Sequence, residues 1–233
     1  MLKLFRRKPA PFPPAWRERL AARLVPYRQL SPELAVRFEA RLQEFLARKK
    51  FYGCNELEVT EEMRVLIAGI ATLLVLRPNA QVYPQLRSIL VYPRAFWVRH
   101  QEPDEDGLVY EDEVLQLGES QGWGRVILSW EDVEAALAGD PVNVAAHEFA
   151  HQLDTGEGAP DLPEYARWSK VMQAAYDELV EHGSKVLDDY GSEGPAEFFA
   201  VATESYFQRG ARLHQHHPDL YALLRDFYLL ETA

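Results

Sequence analysis

The stretch that most constrains this chain is Asp140-Pro-Val-Asn-Val-Ala-Ala-His147-Glu148-Phe-Ala-His151-Gln-Leu-Asp154. Val142, Val144, Ala145, Ala146, Phe149, Ala150 and Leu153 surround a polar trio, so a helix here is apolar on most sides and belongs in an interior. Asp140-Pro141 reads as its start. Three ionisable groups on a buried helix are costly unless they are paired or bind a metal. Helical pitch places residues four apart on one face, so the imidazoles of His147 and His151 can reach one ion. Glu148, one residue on, can reach a water at the open coordination position and take its proton as that water attacks a carbonyl. This is the H-E-x-x-H arrangement of zinc proteases. A solvated polar stripe, the bland alternative, does not suit so apolar a helix.

A catalytic zinc ion usually has three protein ligands, so a third is needed. No histidine stands six residues after His151. A later helix, opened by Gly194-Pro195, offers Glu197 and Glu204, seven residues apart and nearly on one face. They lie about 10 Å apart along the axis, so only one can sit on the metal and the other can support it from behind. Spacing alone leaves both open. Asp154, three residues past His151, is a further candidate for orienting a ligand imidazole. His214, His216 and His217 have no carboxylate or cysteine signal beside them and read as a solvated, histidine-rich helix junction.

The remaining punctuation indicates an α+β fold, mostly helical with a small mixed sheet. Ser31-Pro32 starts a helix that carries Leu34, Phe38, Leu42, Phe45 and Leu46 at helical spacing. A second runs from Thr60 to Leu76 and is ended by Pro78. Residues 87–98 are rich in strand formers, and Arg125–Ser129 reads as a short strand. That strand is expected at the sheet edge ahead of the His147 helix, where an extended peptide could pair with its backbone. Residues 102–113 hold seven acidic side chains and read as a solvated loop. Thr155 to Pro163 reads as a loop, residues 164–182 as a helix stopped by Gly183, and Pro218 opens the last helix. Residues 1–30 read as a flexible, basic, proline-rich segment and residues 31–233 as one domain.

His-Glu-Phe-Ala-His-Gln-Leu-Asp, followed by Asp189-Tyr190 and Pro195-Ala-Glu197-Phe-Phe-Ala-Val, resembles the Mlc titration factor A family of glucose-regulated bacterial metallopeptidases. Ile89-Leu-Val-Tyr-Pro93 and Ile127-Leu-Ser-Trp130 extend the resemblance, which covers about Leu30 to Leu230. It implies a zincin-like fold related to the catalytic domain of lethal factor toxin. In those proteins the third ligand is a glutamate seven residues after a tyrosine, which makes Glu197 the ligand and Tyr190 the oxyanion stabiliser. Glu204 is then left to the supporting role. The resemblance also implies aminopeptidase-type activity on peptides, a Zn2+ cofactor and, in some relatives, binding to a glucose-responsive transcriptional repressor called Mlc. The alternative class is a regulatory repressor-binding protein whose zinc site is structural or vestigial; an intact Glu148 disfavours it, because a structural zinc needs no base.

Charge bears on partners. The net charge of −11 divides into +9 over residues 1–50 (13 Lys/Arg, 4 Asp/Glu) and −20 over the rest (12 Lys/Arg, 32 Asp/Glu). A basic first segment lying against an acidic body is the simple reading, and the acidic remainder argues against a dedicated nucleic-acid binder. The apolar run Val65–Leu76 is too short for a bilayer helix, which needs about 20 residues. A basic start followed by Pro9, Pro11, Pro13 and Pro14 rather than an apolar stretch, together with the single Cys54, suggests the cytoplasm.

Overall fold

The computed structural model describes residues 11–103, 109–116, 118–119, 124–153 and 162–233. Helices α1 (Pro14–Arg23), α2 (Val25–Arg28) and α3 (Pro32–Arg48) lead into strand β1 (Lys50–Gly53) and helix α4 (Glu61–Leu73). Strands β2 (Ser88–Tyr92), β3 (Phe96–Pro103), β4 (Val109–Gln116), β5 (Gly118–Glu119) and β6 (Arg125–Ser129) follow. The second half is helical: α5 (Trp130–Leu137), α6 (Val144–His151), α7 (Leu162–His182), α8 (Pro195–Gln208), α9 (Gly210–His216) and α10 (Pro218–Tyr228), with a short 3-10 turn at Asp189–Glu193.

The sheet runs β1-β2-β6-β5, the first three strands parallel and β5 antiparallel. β3 and β4 form a separate antiparallel hairpin. The mostly helical α+β character expected from the sequence is therefore present. The expected edge position of β6 is not: β5 pairs with it through Gly118 opposite Leu128 and Glu119 opposite Ile127. The physical reason is visible in β6 itself, where Val126, Ile127, Leu128 and Ser129 are all buried, the continuous run of a central strand rather than alternation. The acidic stretch expected as a loop is partly strand, because β3 reaches Pro103 and β4 begins at Val109. Asp154 lies outside the described residues.

Start signals behave as their chemistry dictates. Ser31 Oγ accepts the Leu34 N–H, and Thr60 Oγ1 accepts the Met63 N–H, capping α3 and α4. From Val65 to Leu73 every α4 residue is buried, which makes this helix the axis of the core. The core aromatics reach from there to α6. Phe149 meets Phe45 edge-on with centroids 5.8 Å apart and Tyr83 at 5.4 Å. Tyr83 in turn donates its hydroxyl to the Ala71 carbonyl of α4 at 2.7 Å. Thus the apolar face of α6 is locked against α3 and α4, and its polar trio faces the other way.

The described part of the segment expected to be flexible holds two helices, Pro14–Arg23 and Val25–Arg28, joined at an extended Leu24. Its prolines start helices rather than prevent them: Pro14 and Pro26 stand in the first turns of α1 and α2, where a missing N–H costs nothing. Leu20 and Leu24 are buried on α4. Gly69 makes room, since a Cβ there would lie 2.8 Å from Leu20 Cδ2 and 3.1 Å from Leu24 Cδ2. The basic side chains find acids on the body: Arg17 pairs with Glu39, Arg19 with Glu61, and Arg23 with Glu62. Among the described residues, then, α1 lies against α3 and α4 with its arginines paired to their acids.

Leu20→Ala should therefore cost about 2–5 kcal/mol of stability, as for other buried leucines. Denaturant unfolding measures it, and a wild-type midpoint would mean that α1 does not belong to the core.

Candidate metal centre

The polar face of α6 is built from its first residue. Asp140 does not open the helix, as expected from Asp140-Pro141; its Oδ1 accepts the Val142 N–H in a tight side-chain turn. Asn143 caps instead, its Oδ1 accepting the Ala146 N–H at 3.0 Å. The Asn143 N–H is itself donated to Glu204 Oε2 of α8 at 2.8 Å. Sequence reading missed Asn143, although a capping residue one position before an apolar run was a signal for it.

Glu204 makes a second contact. Its Oε1 lies 2.7 Å from His147 Nδ1, which places the imidazole proton on that nitrogen as donor. The other nitrogen, Nε2, is then the one turned toward the remaining groups, and the one a metal would take. His147 Nε2 stands 3.1 Å from His151 Nε2 and 3.1 Å from Glu197 Oε2, and His151 Nε2 stands 3.2 Å from the same oxygen. Among the described residues, His147, His151 and Glu197 are the only such group that could hold a metal ion.

The fit can be tested on these distances. Ligands about 2.0 Å from a tetrahedral ion lie roughly 3.3 Å from one another. The observed edges of 3.1, 3.1 and 3.2 Å are close to that. Two imidazole nitrogens and one carboxylate oxygen also form a donor set suited to zinc. Of the two glutamates that spacing left open, Glu197 is the one on the triangle and Glu204 the one behind His147.

The charge balance points the same way. Burial would lower the His147 pKa, but the hydrogen bonds to Glu197 and Glu204 and the charges of Glu204 and Glu148 outweigh it and push the pKa up to about 10. Glu197 is held below its ordinary value, first by its hydrogen bond to His147 and against its partial burial, with the charge of His151 adding. These groups together call for a cation, a proton or a metal, between the imidazoles and the carboxylate.

Glu148 is buried to 6% exposure and lies near enough for its charge to act on His147 and Tyr190. Tyr190, on the 3-10 turn, has its ring centroid 5.9 Å from that of His147 and is 47% exposed. Burial, then the charges of Glu197, Glu193 and Glu148, raise its phenol pKa, so it remains a proton donor at neutral pH. Turn and helix are fastened together here: a Cβ on Gly191 would lie 3.0 Å from Leu179 and 3.4 Å from Val201 of α8. Of the residues singled out in the sequence, the structure brings together His147, Glu148, His151, Tyr190, Glu197 and Glu204. His217 is part of another contact, to Ser184 at 3.1 Å.

Because His147 carries a proton up to about pH 10 without metal, a zinc ion taking Nε2 must displace it. Apparent zinc affinity should rise about tenfold per pH unit between roughly pH 7 and 9. Competition titration against a zinc chromophore measures the slope, which should flatten in Glu204→Gln; a pH-independent wild-type affinity would contradict the protonated His147.

The profile of the glucose-regulated metallo-peptidase M90 family matches residues 3–229. An uncharacterized protein of Synechocystis sp. is 41% identical over 98% of this chain and 87% of its own length. The Mlc titration factor A of Pectobacterium atrosepticum is 32% identical over 85% of this chain and 80% of its own. That of Klebsiella pneumoniae is 31% identical over 79% and 74%. Among the described residues no helix is long and apolar enough to cross a membrane. With a match over nearly its whole length, and with two histidines and a glutamate converging as a metal site, the chain belongs to the glucose-regulated metallo-peptidase M90 family.

Proposed function

We propose that this chain is a zincin-like, zinc-dependent peptidase of aminopeptidase type, acting in the cytoplasm. The observation that carries the reading is the triangle of His147 Nε2, His151 Nε2 and Glu197 Oε2, with Glu148 and Tyr190 beside it. When bound, zinc supplies Lewis acidity, bringing the pKa of a water molecule toward about 7 and polarising a peptide carbonyl. His147, His151 and Glu197 hold it. Glu204 keeps the His147 ring turned and its Nε2 lone pair free for the metal. Glu148 takes the proton from the attacking water and returns it to the departing amine. Tyr190 donates its phenol hydrogen bond to the oxygen on which negative charge develops. The aminopeptidase type rests on the resemblance of the motif residues to the Mlc titration factor A family.

A second role is suggested by the name that several relatives carry, Mlc titration factor A. Binding of an Mlc-type repressor is compatible with hydrolysis, since it needs only surface. A purely regulatory protein with a structural zinc would not need Glu148 and Tyr190 disposed beside the ligands. Peptide hydrolysis with and without chelator, alongside size-exclusion chromatography with such a repressor, separates the two roles.

The ligand assignment predicts unequal losses. Glu197→Gln should lose most of its zinc affinity, because a neutral amide is a poor ligand, whereas Glu204→Gln should lose about 10–100-fold. The reverse order in a metal titration would exchange their roles.

The chemistry predicts a different pattern. Glu148→Gln should keep its zinc and melting temperature while losing about 10²–10⁴-fold in turnover. Tyr190→Phe should lose about 10²–10³-fold on the same terms. Single-turnover cleavage of a chromogenic peptide on zinc-quantified protein decides; wild-type rates in zinc-loaded Glu148→Gln would sink the mechanism.

A further inference from the structure

The half-exposed Tyr190 is not caged by packing, so its place at the site depends on the backbone turn that presents it. The segment leading into that turn begins at Gly183, which follows α7 at a φ of +68°. From there to Ser192 the chain is fastened by side chains of three helices and by His217. Tyr176 of α7 donates to the Ser192 carbonyl at 3.2 Å, and Ser205 of α8 donates to the Val186 carbonyl at 3.0 Å. Arg212 of α9 donates to the Lys185 carbonyl at 3.0 Å. The fourth fastening is of another kind. His217, the residue before α10, places Nε2 3.1 Å from Ser184 Oγ, and that oxygen lies 3.1 Å from both the Val186 and the Leu187 N–H.

These contacts assign every hydrogen-bonding capacity of the Ser184 hydroxyl. Its two lone pairs accept the two amides, so its proton goes to His217 Nε2. Burial lowers the His217 pKa, against the charge of Glu178 and with that of His216, which favours the neutral ring that such an acceptor needs. Serine, histidine and Glu178 Oε2, at 3.7 Å from His217 Nδ1, stand in the order of a nucleophile triad. A serine oxygen already accepting two amides is a poor nucleophile, and 3.7 Å exceeds a hydrogen bond. The hydroxyl works as a splice instead. One residue beyond Leu187, Asp188 Oδ1 accepts the Tyr190 N–H at 3.0 Å, carrying the alignment to the tyrosine.

We propose that His217 is a positioning residue for Tyr190, acting through the Ser184 hydroxyl and the turn it holds. The inference rests on the proposed role of Tyr190 as hydrogen-bond donor. It gives the histidine-rich junction before α10, which the sequence presents as solvated, a part in catalysis without contact with substrate.

The test is a double-mutant cycle on zinc-quantified full-length protein, read as kcat and KM for a chromogenic peptide. His217→Phe keeps the ring volume and removes the acceptor, and His217→Gln restores an acceptor. Since a displacement of about 1 Å can cost up to about 10²-fold, His217→Phe should lower kcat roughly tenfold with KM within about twofold. His217→Gln should recover most of that loss. In a Tyr190→Phe background, His217→Phe should cost less than about twofold more, because the group it positions is gone.

Equal losses in both backgrounds, or a wild-type kcat in His217→Phe, would overturn the proposal and leave the role of Tyr190 standing. A fully active Tyr190→Phe would overturn both, a result distinguishable because it needs no His217 variant. Should His217→Phe fail to fold, Ser184→Ala removes the other half of the same link and goes through the same cycle, with the same outcomes deciding.

Discussion

Glu204 of α8 grips α6 at two points. One carboxylate oxygen accepts the Asn143 N–H at the start of α6, and the other accepts the Nδ1 proton of His147 one turn further on. The first bond satisfies a helix-terminal donor that the interior would otherwise leave costly. The second fixes the imidazole so that Nε2 points at Glu197 and His151, ready to exchange its proton for a metal. Since Glu197 and Glu204 share α8, docking α8 on α6 builds the ligand triangle and orients its histidine together. A charge so used is tolerable at 13% side-chain exposure because both oxygens are matched by donors.

The rest of the fold supports that joint from behind. α6 has only eight residues, too few to be stable alone, so its geometry is borrowed from what it packs on. Phe149 fits between Phe45 and Tyr83, and Tyr83 is tied to α4 through Ala71. The loop carrying Tyr83 is held in turn by the buried Lys49 ammonium, which donates to the Tyr83 and Leu86 carbonyls. On the other side α8 rests on a cluster of tyrosines, with Thr203 and the Tyr228 hydroxyl 2.7 Å apart. The histidines thus sit at the meeting of an aromatic core and a polar face, where small shifts are resisted.

Much of this was legible in the residues because local chemistry and tertiary role agree. His147, Glu148 and His151 declare themselves by helical spacing inside an apolar run, and Ser31 and Thr60 cap the helices that their side chains suggest. Glu197 and Glu204 could not be separated by spacing, because which of two glutamates meets the histidines depends on how far α8 slides along α6. Tyr190 was legible only through resemblance, since a tyrosine on a turn carries no periodic signature. Residues 14–28 were misread because prolines were weighed as breakers, although at the first turn of a helix they are starters. β6 was placed at an edge although its unbroken apolar run marks a central strand, because its partner there, Gly118 and Glu119, is too short to carry a strand signal of its own.

The ion pairs of α1 have a consequence for the molecule in solution. Arg17, Arg19 and Arg23 face Glu39, Glu61 and Glu62 across the surface, so much of the positive charge there is cancelled where it stands. What extends into the surroundings is the surplus, −11 in all, from a chain whose last 183 residues carry −20. At low ionic strength such a field slows the approach of anionic molecules and hastens that of cationic ones, over distances of about 10 Å at 0.1 M salt. The rate at which this protein meets its partners is therefore governed by long-range charge as well as by contact chemistry, and added salt narrows the difference between acidic and basic visitors.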